Sequence, residues 1–180
     1  MQAGPHGAQV HLKKGSEIIE QFSTFELLAE LGLGLAGFAG VAAAFGGRSR
    51  NYGSIDLLRL KVLFFCAGSV VAGSLAIFTF ASYGLEDTTI FFVISAALTV
   101  ISAAGGVPIL LAAHRTVRDP EIVAPAWVFF VGASYLVVVE VFYVLNLFKG
   151  GEAGPLTAGF SLSLVYGLWM FTRLMVQPDQ

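Results

Sequence analysis

Long uncharged stretches dominate the hydrophobic pattern of the chain. No Asp, Glu, Lys or Arg occurs in residues 62–85, 88–113 or 153–172. Each stretch reaches the roughly 20 residues that a helix needs to cross a hydrocarbon core of about 30 Å. Two further uncharged stretches, residues 31–47 and 122–139, each continue past a single glutamate into more apolar sequence. The pattern therefore predicts five transmembrane helices.

Residues that favour helix N-termini mark the starts of four helices. They are Ser54 with Asp56, Asp87, Asp119 with Pro120 and Glu121, and Gly154 with Pro155. We therefore predict an all-α polytopic membrane bundle. Its spans are expected near residues 25–46, 60–84, 89–113, 126–148 and 156–175.

The N-terminal part of the chain differs from the rest. Residues 1–15 are rich in Gly, Gln, Ala and His without apolar periodicity, which predicts a disordered tail. From Ser16, a suitable N-cap, apolar residues fall on one side and predict a short amphipathic interfacial helix entering the first span. No signal-peptide core is recognised, so no cleaved signal is expected. Residues 16–176 then form one transmembrane domain before a tail at 177–180.

The composition agrees with a membrane location. Of the 180 residues, 56% are apolar and 12% are charged, which lies outside the range of ordinary soluble domains. A soluble bundle would also need polar faces at helical period on its outer helices, and these segments lack them. The net charge of −2 gives no large basic surface, so no nucleic-acid partner is expected.

The basic residues predict an orientation. One side of the bundle receives Arg48, Arg50, Arg59, Lys61, Arg115, Arg118 and Arg173, and the other receives Lys13, Lys14 and Lys149. Because cytoplasmic loops carry more Lys and Arg, we expect an outside N-terminus and a cytoplasmic C-terminus. The basic first connection also suits contact with anionic lipid headgroups, although its ordinary role is to hold that loop inside.

Small residues in the first two spans predict close helix contact. The sequence Gly32-Leu33-Gly34-Leu35-Ala36-Gly37 has the spacing of a dinucleotide-binding loop, but no strand precedes it. Helix packing is the better interpretation, because small residues let membrane helices approach closely. The expected packing positions are Gly32, Ala36, Gly37, Gly40, Gly68 and Gly73. We predict that the first span is the packing centre of the bundle and that the second is its closest neighbour.

Ionisable groups at membrane depth are the functional candidates. A charge at the bilayer centre costs at least about 2.5–3.5 kcal/mol, so Glu30 and Glu140, with Glu26 nearby, suggest a function. If Glu30 and Glu140 face inward at similar depth, two close carboxyls would hold a proton or a cation. The alternative is that each is a protonated packing residue, with Glu140 bonded to the Tyr143 hydroxyl.

The third span carries a helix-breaking sequence. Gly105, Gly106 and Pro108 predict a kink or an unwound turn, because proline removes one backbone hydrogen bond. Broken helices line binding sites in some transporters, yet such kinks are also common in membranes.

The three histidines, His6, His11 and His114, are too scattered for metal binding. No catalytic grouping is recognised, so we expect no metal, no cofactor and no enzymatic activity.

Several short motifs resemble those of a family. Four segments are similar to an uncharacterised family of small bacterial multi-span membrane proteins. They are the run from Glu30 to Val41, the sequence Phe45-Gly46-Gly47-Arg48, the sequence Asp56-Leu57-Leu58-Arg59-Leu60, and the closing helix with Tyr166-Gly167-Leu168 and Phe171-Thr172-Arg173-Leu174. This resemblance implies about five helices in the cell (inner) membrane. It implies no activity and no site residues.

Two hypotheses for function follow. The first is a non-enzymatic membrane subunit, scaffold or accessory protein that acts through helix packing. Its partners would be the lipid bilayer and either another membrane protein or further copies of itself. The second is a small proton- or cation-linked transporter or channel that uses the intramembrane carboxylates of Glu30 and Glu140.

Overall fold

The computed structural model describes residues 5–49, 54–117 and 126–176, and these residues form five α-helices. The helices are α1 (Pro5–Ser49), α2 (Ser54–Ser82), α3 (Asp87–Val117), α4 (Ala126–Phe148) and α5 (Ala153–Val176). Each contains a segment long and apolar enough to cross a membrane: Glu20–Ala44, Asp56–Ser82, Asp87–Ala112, Phe130–Phe148 and Ala153–Val176. The predicted helical membrane bundle with five spans is confirmed.

The helix starts follow the capping signals wherever these are described. α2 begins at Ser54 with Asp56 in its first turn, and α3 begins at Asp87. α5 begins at Ala153, so that Gly154 and Pro155 fall in its first turn. Asp119, Pro120 and Glu121 lie outside the described residues.

The structure differs from the predicted disordered tail and from the predicted helix start at Ser16, while the helix predicted to enter the first span is present. α1 begins at Pro5 and continues to Ser49, so residues 5–15 are helical and Ser16 lies inside the helix. This segment contains Ala, Gln, Leu and Lys, whose intrinsic helix propensity supports a helix even without an amphipathic pattern. Residues 1–4 and 177–180 lie outside the described residues.

α2 and α5 occupy the centre of the bundle. α1 packs on α2 and α5, α3 packs on α2 and α4, and α4 packs on α3 and α5. In the candidate spans, 44% of the residues of α2 and of α5 are buried, against 17% in α1. The first span is therefore not the packing centre. The reason is that α1 lies against α2 and α5 on one side only, where Phe25, Leu28 and Ala39 are buried.

Phe160 of α5 joins four helices. Its ring is fully buried and lies where a side chain at Gly73 of α2 would be. The ring centroid of Phe25 of α1 lies 6.0 Å away in an edge-on arrangement, and that of Tyr143 of α4 lies 6.4 Å away. Phe25 also packs against Phe91 of α3, with 5.6 Å between their ring centroids. One aromatic cluster thereby connects all five helices.

Glycines receive large side chains at other helix crossings too. A Cβ at Gly32 would meet Val71 at 2.9 Å, so α1 and α2 form the close pair that the sequence predicted. Phe65 of α2 lies against Gly105 of α3, and Tyr143 of α4 lies against Gly159 of α5. These contacts replace hydrophobic attraction, which is absent between helices surrounded by lipid tails.

α3 is continuous through its proline. The helix runs from Asp87 to Val117 and includes Gly105, Gly106 and Pro108, so the expected unwound turn is not seen. Pro108 is exposed on the outer surface of α3. Membrane helices tolerate proline in this way, because small local adjustments satisfy the freed backbone groups.

Candidate functional site

The outward face of α1 carries acidic and small residues together. The term outward face denotes the residues Glu26, Glu30, Gly34, Gly37 and Val41, which are all exposed. Their spacing of four, four, three and four residues keeps them on one side of a helix. The opposite side of α1, including Phe25 and Leu28, is buried against α2 and α5. The outward face is therefore the unburied side of the first span.

Glu30 lies within the candidate span Glu20–Ala44 of α1, directly before the uncharged stretch of residues 31–47. It is ten residues from the start of this span, which corresponds to about 15 Å at 1.5 Å per residue. A Cβ added at Gly34 or Gly37 would meet no atom within 4 Å. A carboxyl group therefore stands at membrane depth beside two open glycine positions, on a surface that the described residues of this chain do not cover.

The structure does not bring Glu30 and Glu140 together. Glu30 is on α1 and Glu140 is on α4, and these two helices make no contact within the described residues. The expected carboxylate pair is therefore wrong. Depth along a helix can be read from the sequence, but the direction in which a helix faces depends on its neighbours, and α2 and α5 separate α1 from α4.

Tyr143 does not support Glu140. The Tyr143 hydroxyl lies 3.4 Å from Ser163 Oγ, and Ser163 in turn donates to the Gly159 carbonyl at 2.9 Å. Because Ser163 already uses its hydrogen, the Tyr143 hydroxyl is the donor in the first contact. Tyr143 is 1% exposed and Glu140 is only partly buried, so the two side chains occupy different environments.

Asn146 forms a buried polar junction that the sequence analysis did not identify. It is completely buried, and its Nδ2 donates to Ser95 Oγ of α3 at 2.8 Å. The Glu152 backbone N–H donates to Asn146 Oδ1 at 2.8 Å, and the Gly151 N–H donates to the Asn146 carbonyl at 3.0 Å. The signal was present, because an amide within an apolar run of a membrane helix must find partners.

The turn after Asn146 depends on two glycines. Gly150 and Gly151 have φ values of 79° and 90°, a left-handed conformation that glycine adopts without steric cost. Gly151 also lies against the Thr88 carbonyl, where a Cβ would not fit. The connection after α4 therefore packs against the first helical turn of α3. Asn146 thus joins α3, α4 and this connection at one end of the bundle.

The opposite end of the bundle carries the predicted basic residues. Arg59 is 7% exposed and pairs with Asp56 at 3.0 Å. Arg173 lies over the Trp169 ring, with its Cζ 5.7 Å from the ring centroid. Lys61 and Arg115 are exposed. The side chain of Arg48, and Arg50 and Arg118 altogether, lie outside the described structure.

The predicted packing positions divide into two groups. Gly32 and Gly73 meet neighbouring helices, as expected. Gly37, Gly40 and Gly68 face open space, and Ala36 is partly buried. Small residues alone do not show which side of a helix is covered, because a glycine face can receive a neighbour of the same chain or of another.

Comparison with known proteins provides no assignment. The chain matches no protein-family model, no curated protein and no solved structure at a significant level. The functional argument therefore rests on the geometry of the chain itself.

We predict that Asn146 and Ser95 stabilise the fold jointly. In a double-mutant cycle of Asn146→Ala and Ser95→Ala, the expected coupling is about 0.6–1.7 kcal/mol, the range for hydrogen bonds between membrane helices. Unfolding equilibria in detergent measure it. Thr172→Val is the control, because this exposed hydroxyl bonds within its own helix. Additive effects of the two alanine substitutions would contradict the prediction.

Proposed function

We propose that this chain is a non-enzymatic subunit or accessory protein of a membrane assembly, and that it binds a transmembrane helix of another protein along the outward face of α1. The observation that carries the proposal is the exposure of Glu30 at membrane depth beside Gly34 and Gly37. A polar group in hydrocarbon requires a partner, and glycines allow a second helix to approach closely enough to supply one.

The chemistry of Glu30 favours a different protein over a second copy. In a parallel dimer of this chain about a two-fold axis through this face, each Glu30 would face the other Glu30. Two carboxylates in a low dielectric repel one another. A partner helix that presents Lys, Arg or a neutral hydrogen-bond donor at this depth would satisfy the carboxyl group.

Replacing Gly37 by leucine is expected to abolish co-purification of the partner in mild detergent, because the added side chain fills the approach space. Glu30→Leu is expected to weaken the complex by up to about tenfold, while Glu30→Gln retains more binding. Gly154→Leu is the matched control, since Gly154 is exposed on α5 and also borders open space. A Gly37→Leu variant that retains its partner would refute the proposed interface.

We also propose an orientation in the cell (inner) membrane, with the N-terminus outside, from the basic residues Arg59, Lys61, Arg115 and Arg173 at one end of the bundle. A Glu152→Cys variant should react with a membrane-impermeant maleimide in intact cells. A His114→Cys variant should react only after permeabilisation. Native Cys66 is buried and should not react. The opposite labelling pattern would reverse the proposed orientation.

The transport alternative lacks the carboxylate pair on which it depended, because Glu30 and Glu140 lie on helices whose described residues make no contact with one another. It would have to use a single carboxyl group, and Glu140 is the one that lies outside the outward face of α1. We therefore expect Glu140→Gln, which keeps the shape of the side chain but not its ionisation, to assemble normally and to change stability by less than about 0.5 kcal/mol. Loss of a pH-driven flux in reconstituted vesicles on this substitution would contradict our proposal and favour transport.

A further inference from the structure

An apolar groove runs along the surface of the bundle between α2 and α3. Its volume is about 480 Å³, and its walls include Phe64, Gly68, Ala72 and Ala76 of α2, with Ala97 and Ile101 of α3. Phe65 lines the groove near one end, and its ring lies against Gly105 of α3. The groove exists because small residues on α2 leave the space beyond this contact unfilled.

The lining of the groove suits a hydrocarbon chain. Among the described lining residues, Ser69 alone carries a hydroxyl group, and it donates to the Phe65 carbonyl of its own helix at 2.7 Å. No polar side chain in this lining therefore requires a hydrogen-bonding ligand. The occupant must instead gain its binding energy from close van der Waals contact with the two helices.

The length of the groove matches one leaflet of a bilayer. From Phe64 to Ala76, α2 rises by about 18 Å. Half of a hydrocarbon core is about 15 Å thick, which is the depth that one acyl chain reaches.

Two basic residues lie beyond the same end of the groove. Lys61 precedes Phe64 and Phe65 by one helical turn and shares their face of α2, and it is exposed. Arg115 follows Ile101 by fourteen residues on the same face of α3, and it is also exposed. α2 and α3 pack against each other and are joined by the short connection of residues 83–86, so both residues lie toward the same end of the bundle. Long basic side chains near the end of a span can extend to the lipid headgroups.

We propose that α2 and α3 form a binding site for an anionic phospholipid, with one acyl chain in the groove and the phosphate group held by Lys61 and Arg115. The apolar walls and the length select an acyl chain, and the two positive charges at the same end of the bundle select an anionic headgroup over a zwitterionic one. This site is separate from the outward face of α1 and does not depend on the proposed partner.

Native mass spectrometry of the purified protein tests the site, with phosphatidylglycerol and phosphatidylcholine as the two probes. The unaltered chain should retain phosphatidylglycerol preferentially. Lys61→Gln and Arg115→Gln should each weaken phosphatidylglycerol binding by about fivefold and leave phosphatidylcholine binding unchanged. Equal binding of the two lipids by the unaltered chain would overturn the headgroup assignment.

Two substitutions that fill the groove test the acyl-chain position. Ala72→Phe and Gly68→Leu should each abolish retention of phosphatidylglycerol, and an added Cβ at Gly68 meets no atom within 4 Å, so the fold can accept that change. Ala103→Phe is the matched control, since Ala103 is exposed on α3 outside the groove lining. Undiminished lipid retention in both groove variants would refute the site. If the groove substitutions removed a bound protein and left lipid retention unchanged, that result would also refute the site.

Discussion

The packing of Phe160 in the centre of the bundle is the interaction on which the remaining structure depends. Its ring lies against Gly73 of α2 and contacts Phe25 of α1 and Tyr143 of α4. Lipid tails are as apolar as the side chains, so burial from water cannot hold these helices together. Close contact between an aromatic ring and a glycine can, since it gathers many weak attractions in one place.

This central packing decides which surfaces remain open. Bulky side chains gather around α5 and α2, while Gly34 and Gly37 of α1 remain on the outside, and so does the groove between α2 and α3. The two surfaces differ in chemistry. The outward face of α1 offers a carboxyl group beside open glycine positions and suits a helix, whereas the groove is apolar beneath two basic residues and suits a lipid.

Polar contacts fix the two ends of the bundle. At one end, Asn146 joins α3, α4 and the turn before α5. At the other, Arg59 pairs with Asp56, and Arg173 stacks on Trp169. Between them, the Tyr143 hydroxyl donates to Ser163 Oγ, and Ser163 donates to the Gly159 carbonyl. Buried polar groups that already have partners favour a role in holding the fold. Glu30 and Glu140 are the intramembrane groups for which the sequence predicted a function.

The sequence by itself determined the number of spans, the helix starts at Ser54 and Asp87, and the closeness of α1 and α2. These depend on local properties, namely apolar length, capping residues and small side chains. Only the tertiary structure decided that Glu30 faces outward, that Glu140 stands apart from it, and that Asn146 bonds Ser95. Helical periodicity shows which residues share a face, but the face that is covered depends on the shapes of all five helices at once.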